Sequence, residues 1–187
     1  MLKAVMFDFG HTIIDELKER DVPLATRSVH LMPGLPGILP HITFRMGIWA
    51  NTEVAVERDI RVWLGRAGIS EYFEWVITSV DAGARKPSPR FFSYALKKCK
   101  LKKNEIIFVG NQLNTDIRGA NDYGIECVWL SSTAYRIPDD SPSGMLNANQ
   151  ARPTHVIRSL KQLPGLLETL VSKAPHVPIG LARPKPR

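Results

Sequence analysis

Five short apolar runs, residues 3–7, 44–49, 75–80, 106–109 and 125–130, recur along the chain, each rich in β-branched or aromatic residues. Runs of this length without polar alternation suit strands covered on both faces, as in a parallel sheet inside an α/β protein. The segments between them carry a different period. Val56, Ile60, Trp63, Leu64 and Ala67 are spaced to form one apolar stripe on a helix, with Asn51 and Thr52 as N-cap candidates ahead of it. Ser88-Pro89 opens a second helix that runs through Phe92, Ala95 and Leu96. A short strand at 155–157 and a helix at 164–171 complete the pattern. Strands alternating with helices connect by right-handed crossovers, so the expected fold is α/β, a doubly wound three-layer sandwich around a mainly parallel sheet of five or six strands.

The chain of 187 residues suits one domain, expected over residues 1–172, with 173–187 as a tail. Its 44% hydrophobic and 23% charged residues are those of a globular protein, and no run approaches the roughly 18 apolar residues of a membrane span. The apolar run before Asp8 is shorter than the core of a secretory signal. Cys99 and Cys127 fall in an expected helix and strand, where a small buried thiol is commoner than a disulfide, so a reducing cytoplasm fits. The net charge of +7 overstates the core, because Lys173, Arg183, Lys185 and Arg187 all follow the last acidic residue, Glu168. Without them about +3 remains, and the four prolines in 174–187 mark an extended solvated tail, which argues against a nucleic-acid partner. Residues 132–153, rich in Pro, Ser, Asn and Asp, are expected as a long loop.

In open parallel sheets, function gathers at the carboxyl ends of the strands. Asp8 stands where the first run ends. Its carboxylate can act as a nucleophile, or with Gly10 and Thr12 it can simply close a turn. The second run ends in Ala50-Asn51-Thr52, groups able to hydrogen-bond an anion or to cap a helix. Lys86 follows the third run and precedes Pro87. It can neutralise Asp8 and a bound phosphate, or lie on the surface as an isolated lysine commonly does. The fourth run leads into Gly110-Asn111-Gln112-Leu113-Asn114-Thr115-Asp116, whose oxygens suit Mg²⁺, with capping by Asn114 or Asp116 as the plain alternative.

Taken in order, Asp8 to Thr12, Asn51-Thr52, Lys86-Pro87 and Gly110 to Asp116 resemble the four motifs of the haloacid dehalogenase (HAD) superfamily, over residues 3–130. The resemblance implies a Rossmann-like sheet and an aspartyl intermediate on Asp8. It implies Mg²⁺ held by Asp8, by the backbone carbonyl of Gly10, and by Asn111 and Asp116. Thr12, Asn51, Thr52 and Lys86 would bind the phosphoryl group, with Lys86 and Thr52 also counted as catalytic.

Three departures bear on activity. Gly10 stands where relatives carry an acid/base aspartate, Ala50 where they carry Ser or Thr, and Asn111 where they carry a charged ligand. His11 is then a candidate proton donor, since imidazole titrates near neutrality. Only about 30 residues separate Thr12 from Phe44, too few for the helical cap of capped relatives. Residues 16–21 and the turn region 33–40 would be its remnant. Water must then be excluded by the substrate, by another subunit of a homo-oligomer, or by the 132–153 loop. The leading expectation is a Mg²⁺-dependent phosphatase acting on a phosphorylated small molecule or a larger exposed phosphoester. The alternative is a HAD-fold binding or regulatory protein with weakened chemistry. Carbon–halogen hydrolysis ranks last, because its pocket depends on a cap.

Overall fold

The strand β1 (Ala4–Phe7) occupies the middle of the sheet, where all four of its residues are buried. The architecture is that of a computed structural model, in which residues 1–16, 18, 28–131 and 151–172 are described. The strands β2 (Arg45–Ala50), β3 (Trp75–Thr78), β4 (Ile106–Gly110), β5 (Glu126–Leu130) and β6 (His155–Ile157) complete a six-stranded sheet in the order β3-β2-β1-β4-β5-β6. Every pairing is parallel, and β1 matches Ala4 to Arg45 on one side and to Ile106 on the other. The expected doubly wound α/β sheet is therefore present, with six strands. The strand order reverses across β1 and β4. That opens a crevice at their carboxyl ends, the usual place for a ligand in such sheets.

Alternation along β1 divides the interior into two layers. Val5 and Phe7 face one core together with α1 (Leu35–Ile38), α2 (Glu57–Arg66) and the C-terminal helix α6 (Leu163–Ser172). Ala4 and Met6 face the other, against α4 (Pro89–Cys99) and α5 (Arg118–Tyr123). The second core is aromatic: Trp49 stacks on Phe108 at 5.6 Å between ring centres, and Phe91 and Phe92 meet Trp49 edge-on. Burying such rings on both faces clamps the strands and fixes the loops at their ends.

Several boundaries differ from expectation for local reasons. The run 75–80 leaves the sheet at Thr78, whose hydroxyl accepts the Asp81 N–H at 3.1 Å and starts α3 (Ser79–Ala82). Asn51 and Thr52 do not cap the following helix. α2 begins after Val56, whose N–H is taken by the Asp59 carboxylate at 3.1 Å. The Ser88 cap and Pro89 start of α4 are as expected. Turn region 33–40 folds into α1 and the 3₁₀ turn Leu39–His41, burying Leu35, Ile38 and Leu39 in the first core. Of 16–21 only Glu16 and Lys18 fall within the described residues; 132–150 and the tail 173–187 lie outside them.

Candidate active site

Four loops meet at the crevice. Asp8 follows β1 directly, and its N–H donates to the Val109 carbonyl at 2.8 Å, so the strand ladder carries it into the site. The chain then turns tightly, with the N–H groups of Ile13 and Ile14 both donating to the Phe9 carbonyl. The left-handed residue of this turn is His11, at φ 55°. Histidine tolerates that region better than bulky or branched residues do.

Lys86 is the hub of the site. Its ammonium, only 1% exposed, donates to Asp8 Oδ1 at 2.6 Å, Asp116 Oδ1 at 2.8 Å and the Trp49 carbonyl at 2.7 Å. Three protons thus meet three acceptors. The surface-lysine alternative is excluded by this burial. The lysine is placed by Asn51, whose amide grips the Lys86 backbone twice: Nδ2 donates to the carbonyl and Oδ1 accepts the N–H, both at 2.9 Å. Asn51 therefore aims Lys86, a role the sequence did not reveal because it runs through main-chain atoms. Asp116 is fixed in turn by the Gln112 N–H on Oδ2 at 3.0 Å. It closes over Gly110, where an added Cβ would lie 2.6 Å from Asp116 Cβ, so a side chain at 110 would push the carboxylate away.

Burial, and after it the neighbouring Asp116 carboxylate, push the Asp8 carboxyl up to about 7 against the opposing pull of Lys86. Burial alone would lower the Lys86 ammonium, but Asp116 and Asp8 outweigh it and hold that group above its ordinary value. A charge imbalance adds to the effect of burial. Two buried carboxylates face one ammonium, leaving one negative charge without a partner in the cluster.

On the other side of Asp8 the contacts are neutral and longer. The Thr12 hydroxyl lies 3.5 Å from Asp8 Oδ2 and 3.4 Å from Asn111 Oδ1. That same end of the Asn111 amide is 3.3 Å from Asp8 Oδ2 and 3.2 Å from the Gly10 carbonyl. With Nδ2 placed to donate to both, the Asn111 amide bridges Asp8 Oδ2 and the Gly10 carbonyl, two oxygens of the kind that a hard cation such as Mg²⁺ takes. Among the described residues no group of three or more His, Cys, Asp or Glu side chains could hold a metal, so such a cation would need carbonyl or amide oxygens in addition to carboxylates.

The remaining predicted residues are placed unevenly. Thr52 is engaged in local bonds, its hydroxyl donating to the Ala55 carbonyl at 2.6 Å and its N–H to Ser79 Oγ at 2.9 Å. His11 is buried, with Nε2 3.7 Å from Glu16 Oε2. Glu16 was not singled out from the sequence as a site residue. Its carboxylate fills the space beside Gly10, lying 2.7 Å from where a Cβ at that position would stand. Glu16 also lines a cavity with Ile14, Ser28, Val29, His30 and Trp63. Spacing alone offers no signal for a contact made by a loop folding back.

Comparison with known proteins bears on this arrangement. Residues 83–163, which carry Lys86 and Asp116, match the family described as HAD-hyrolase-like. The chain belongs to the HAD superfamily. It is 32% identical over 149 residues to a glyceraldehyde 3-phosphate phosphatase of Methanopyrus kandleri, covering 74% of this chain and 60% of that protein. It is 29% identical to pyrimidine 5'-nucleotidase YjjG of Escherichia coli, over 73% of this chain and 56% of the relative. Among solved structures, an uncharacterized protein from Listeria monocytogenes serotype 4b superposes with a TM-score of 0.73 at 26% identity, over 91% of this chain and 99% of the other. The chain spans about half the length of the curated relatives it matches, 46% and 60% for two glyceraldehyde 3-phosphate phosphatases. No helix among the described residues is long and apolar enough to cross a membrane.

Proposed function

We propose that this HAD member is a phosphoric monoester hydrolase acting through a phospho-aspartyl intermediate on Asp8. The observation that carries this reading is the buried Lys86 ammonium, bound at once to the nucleophile and to Asp116 at the sheet's switch point. A cation so placed holds Asp8 in line and offers charge to an arriving phosphoryl group. The likeness to sugar-phosphate and nucleotide phosphatases supports phosphate monoesters as the substrate class, on a small molecule or a larger exposed phosphoester. Mg²⁺, held by Asp8, the Gly10 carbonyl, Asn111 and Asp116, would supply Lewis-acid charge to the phosphoryl oxygens.

In the first step the Asp8 carboxylate attacks phosphorus, a P–O(Asp8) bond forms, and the ester oxygen leaves. With no side chain on Gly10, the proton for that oxygen is assigned to the pair His11 and Glu16 that flanks the same turn. In the second step water attacks phosphorus and passes its proton back to that pair, and the P–O(Asp8) bond breaks to release phosphate and the free Asp8 carboxylate. Thr12 and the loop after β2 border the phosphoryl group. Residues 1–172 are read as one domain with little or no lid, so closure falls to the substrate, to a second copy in a homo-oligomer, or to residues 132–153. The free buried thiols of Cys99 and Cys127 fit a cytoplasmic setting.

The weaker-chemistry reading, a binding or regulatory module, is favoured by one observation, the commitment of the Thr52 hydroxyl to Ala55. Purified protein assayed against a panel of phosphate esters, with and without Mg²⁺, separates the two. Turnover that vanishes in Asp8→Asn supports the hydrolase, and beryllium fluoride binding without turnover supports the module.

A further inference from the structure

The loop after β2 and the segment 79–86 are tied by two grips of the same kind, running in opposite directions. At one end the Asn51 amide takes both main-chain polar groups of Lys86. At the other, Ser79 Oγ accepts the Thr52 N–H and donates to the Thr52 carbonyl, both at 2.9 Å. A hydroxyl can do this because it carries a donor and an acceptor on one atom. The sheet brings the partners together: Ala50, the last residue of β2, pairs with Thr78, so Ser79 at the start of α3 lies beside the residues that follow Ala50. Ser79 is 5% exposed, and Thr52 is half-buried, so the bonds replace solvent that neither group meets freely. A further tie, from the Glu57 N–H to the Asp81 carboxylate at 2.9 Å, fastens the far end of the same loop to α3.

Asn51 thus stands between Ala50, fixed in the sheet, and Thr52, fixed to Ser79. We infer that Ser79 is a positioning residue of the Lys86 ammonium: by holding Thr52 it presents the neighbouring Asn51 amide to the Lys86 backbone. It acts through Asn51 rather than on the reacting atoms. The inference rests on the proposed function for its kinetic consequence, while its effect on the bond between Asn51 and Lys86 can be read without turnover. In Ser79→Ala the Thr52 N–H and carbonyl must find other partners, and the loop that carries Asn51 is released on one side. Misplacement of a catalytic group by about 1 Å can cost about 10²-fold in rate, so the loss should fall on kcat.

The test uses the full chain and its Ser79→Ala, Asn51→Ala and doubly substituted forms. Turnover of p-nitrophenyl phosphate is measured with Mg²⁺, together with hydrogen exchange of the Lys86 backbone amide, which donates to Asn51 Oδ1. Expected in each single variant are a kcat at least about tenfold lower, with KM within about twofold, and a Lys86 amide exchanging at least about tenfold faster while the amides of β5 keep their rates. The double variant should be within about twofold of Asn51→Ala in kcat, since a residue acting through Asn51 has nothing left to act on. The inference is overturned if the two kcat losses multiply in the double variant, if the loss in Ser79→Ala falls on KM alone, or if its Lys86 amide exchanges at the natural rate. Equal acceleration of the β5 amides would also overturn it, because it would show general loosening. If the natural protein turns over no phosphate ester, the hydrolase reading falls, and the exchange comparison alone upholds or overturns the inference.

Discussion

The two sides of Asp8 are built from different materials. Toward Lys86 and Asp116 the contacts are charged, buried and 2.6–2.8 Å long. Toward Thr12, Asn111 and Gly10 they are neutral and 3.2–3.5 Å long. A buried ion pair is costly to break because the abandoned charge has nowhere to go, whereas a weak neutral contact can rearrange at little cost. The first side therefore fixes the nucleophile, and the second is where a ligand can be exchanged.

The sharpest way to break this comparison is to remove the shared group. Asp8→Asn keeps the shape but discards both the nucleophile and the negative charge. Turnover of any phosphate ester should fall by at least about 10³-fold, or about 4 kcal/mol of barrier, with the fold retained. Activity surviving in rigorously purified protein would sink the covalent mechanism.

Next comes the charged side itself. Lys86→Met leaves Asp8 and Asp116 buried without their cation, and urea unfolding should report a loss of about 3–5 kcal/mol. The matching change on the neutral side, Thr12→Val, removes only long contacts and should cost about 1 kcal/mol. Equal losses in the two variants would contradict the asymmetry.

Proton delivery can be probed at Gly10. Its φ lies outside the left-handed region, so the obstacle to a side chain is the Glu16 carboxylate rather than backbone strain. Glu16 ends a flexible side chain and can swing away. Gly10→Asp combined with Glu16→Gln should raise the ratio of alkyl to aryl phosphate turnover by about 10²-fold over Glu16→Gln alone, the usual worth of a general acid. An unchanged ratio in an active double variant would place the proton source elsewhere.

The smallest effect is a slope. Because the Asp8 pKa is raised from 3.8 to about 7, the folded chain keeps a proton that the unfolded chain has released. Its contribution to stability is present below pH 3.8 and is lost as the pH rises toward 7. Denaturant midpoints measured from pH 4 to 7 should fall in the natural protein relative to Asp8→Asn. Parallel curves would show that Lys86 holds Asp8 ionised throughout.

Periodicity made the scaffold legible. The uninterrupted apolar runs announced buried parallel strands and put Asp8 at the end of the first, whereas Lys86 and Asp116, in the segments after the third and fourth strands, stood out through their resemblance to the HAD motifs. Boundaries were less legible where side chains intervened, as at Thr78, whose hydroxyl turned the end of an apolar run into a helix cap. Contacts made by folding back were not legible at all. Nothing in the spacing of Gly10 and Glu16 shows that one vacates the volume the other fills, and the bond between the Thr52 hydroxyl and Ala55 gave no sign in a segment that also reads as an anion-binding turn.

The Asn51 amide holds Lys86 by main-chain atoms across 35 positions of sequence. A grip of that kind is blind to what lies between. The segment 53–74 can lengthen, shorten or change its surface without altering where the ammonium points, so long as the ends of β2 and β3 remain side by side. Lineages of this fold could thus remodel α2 and its flanking loops, as a recognition surface or a contact with another protein, while the chemistry stays in register.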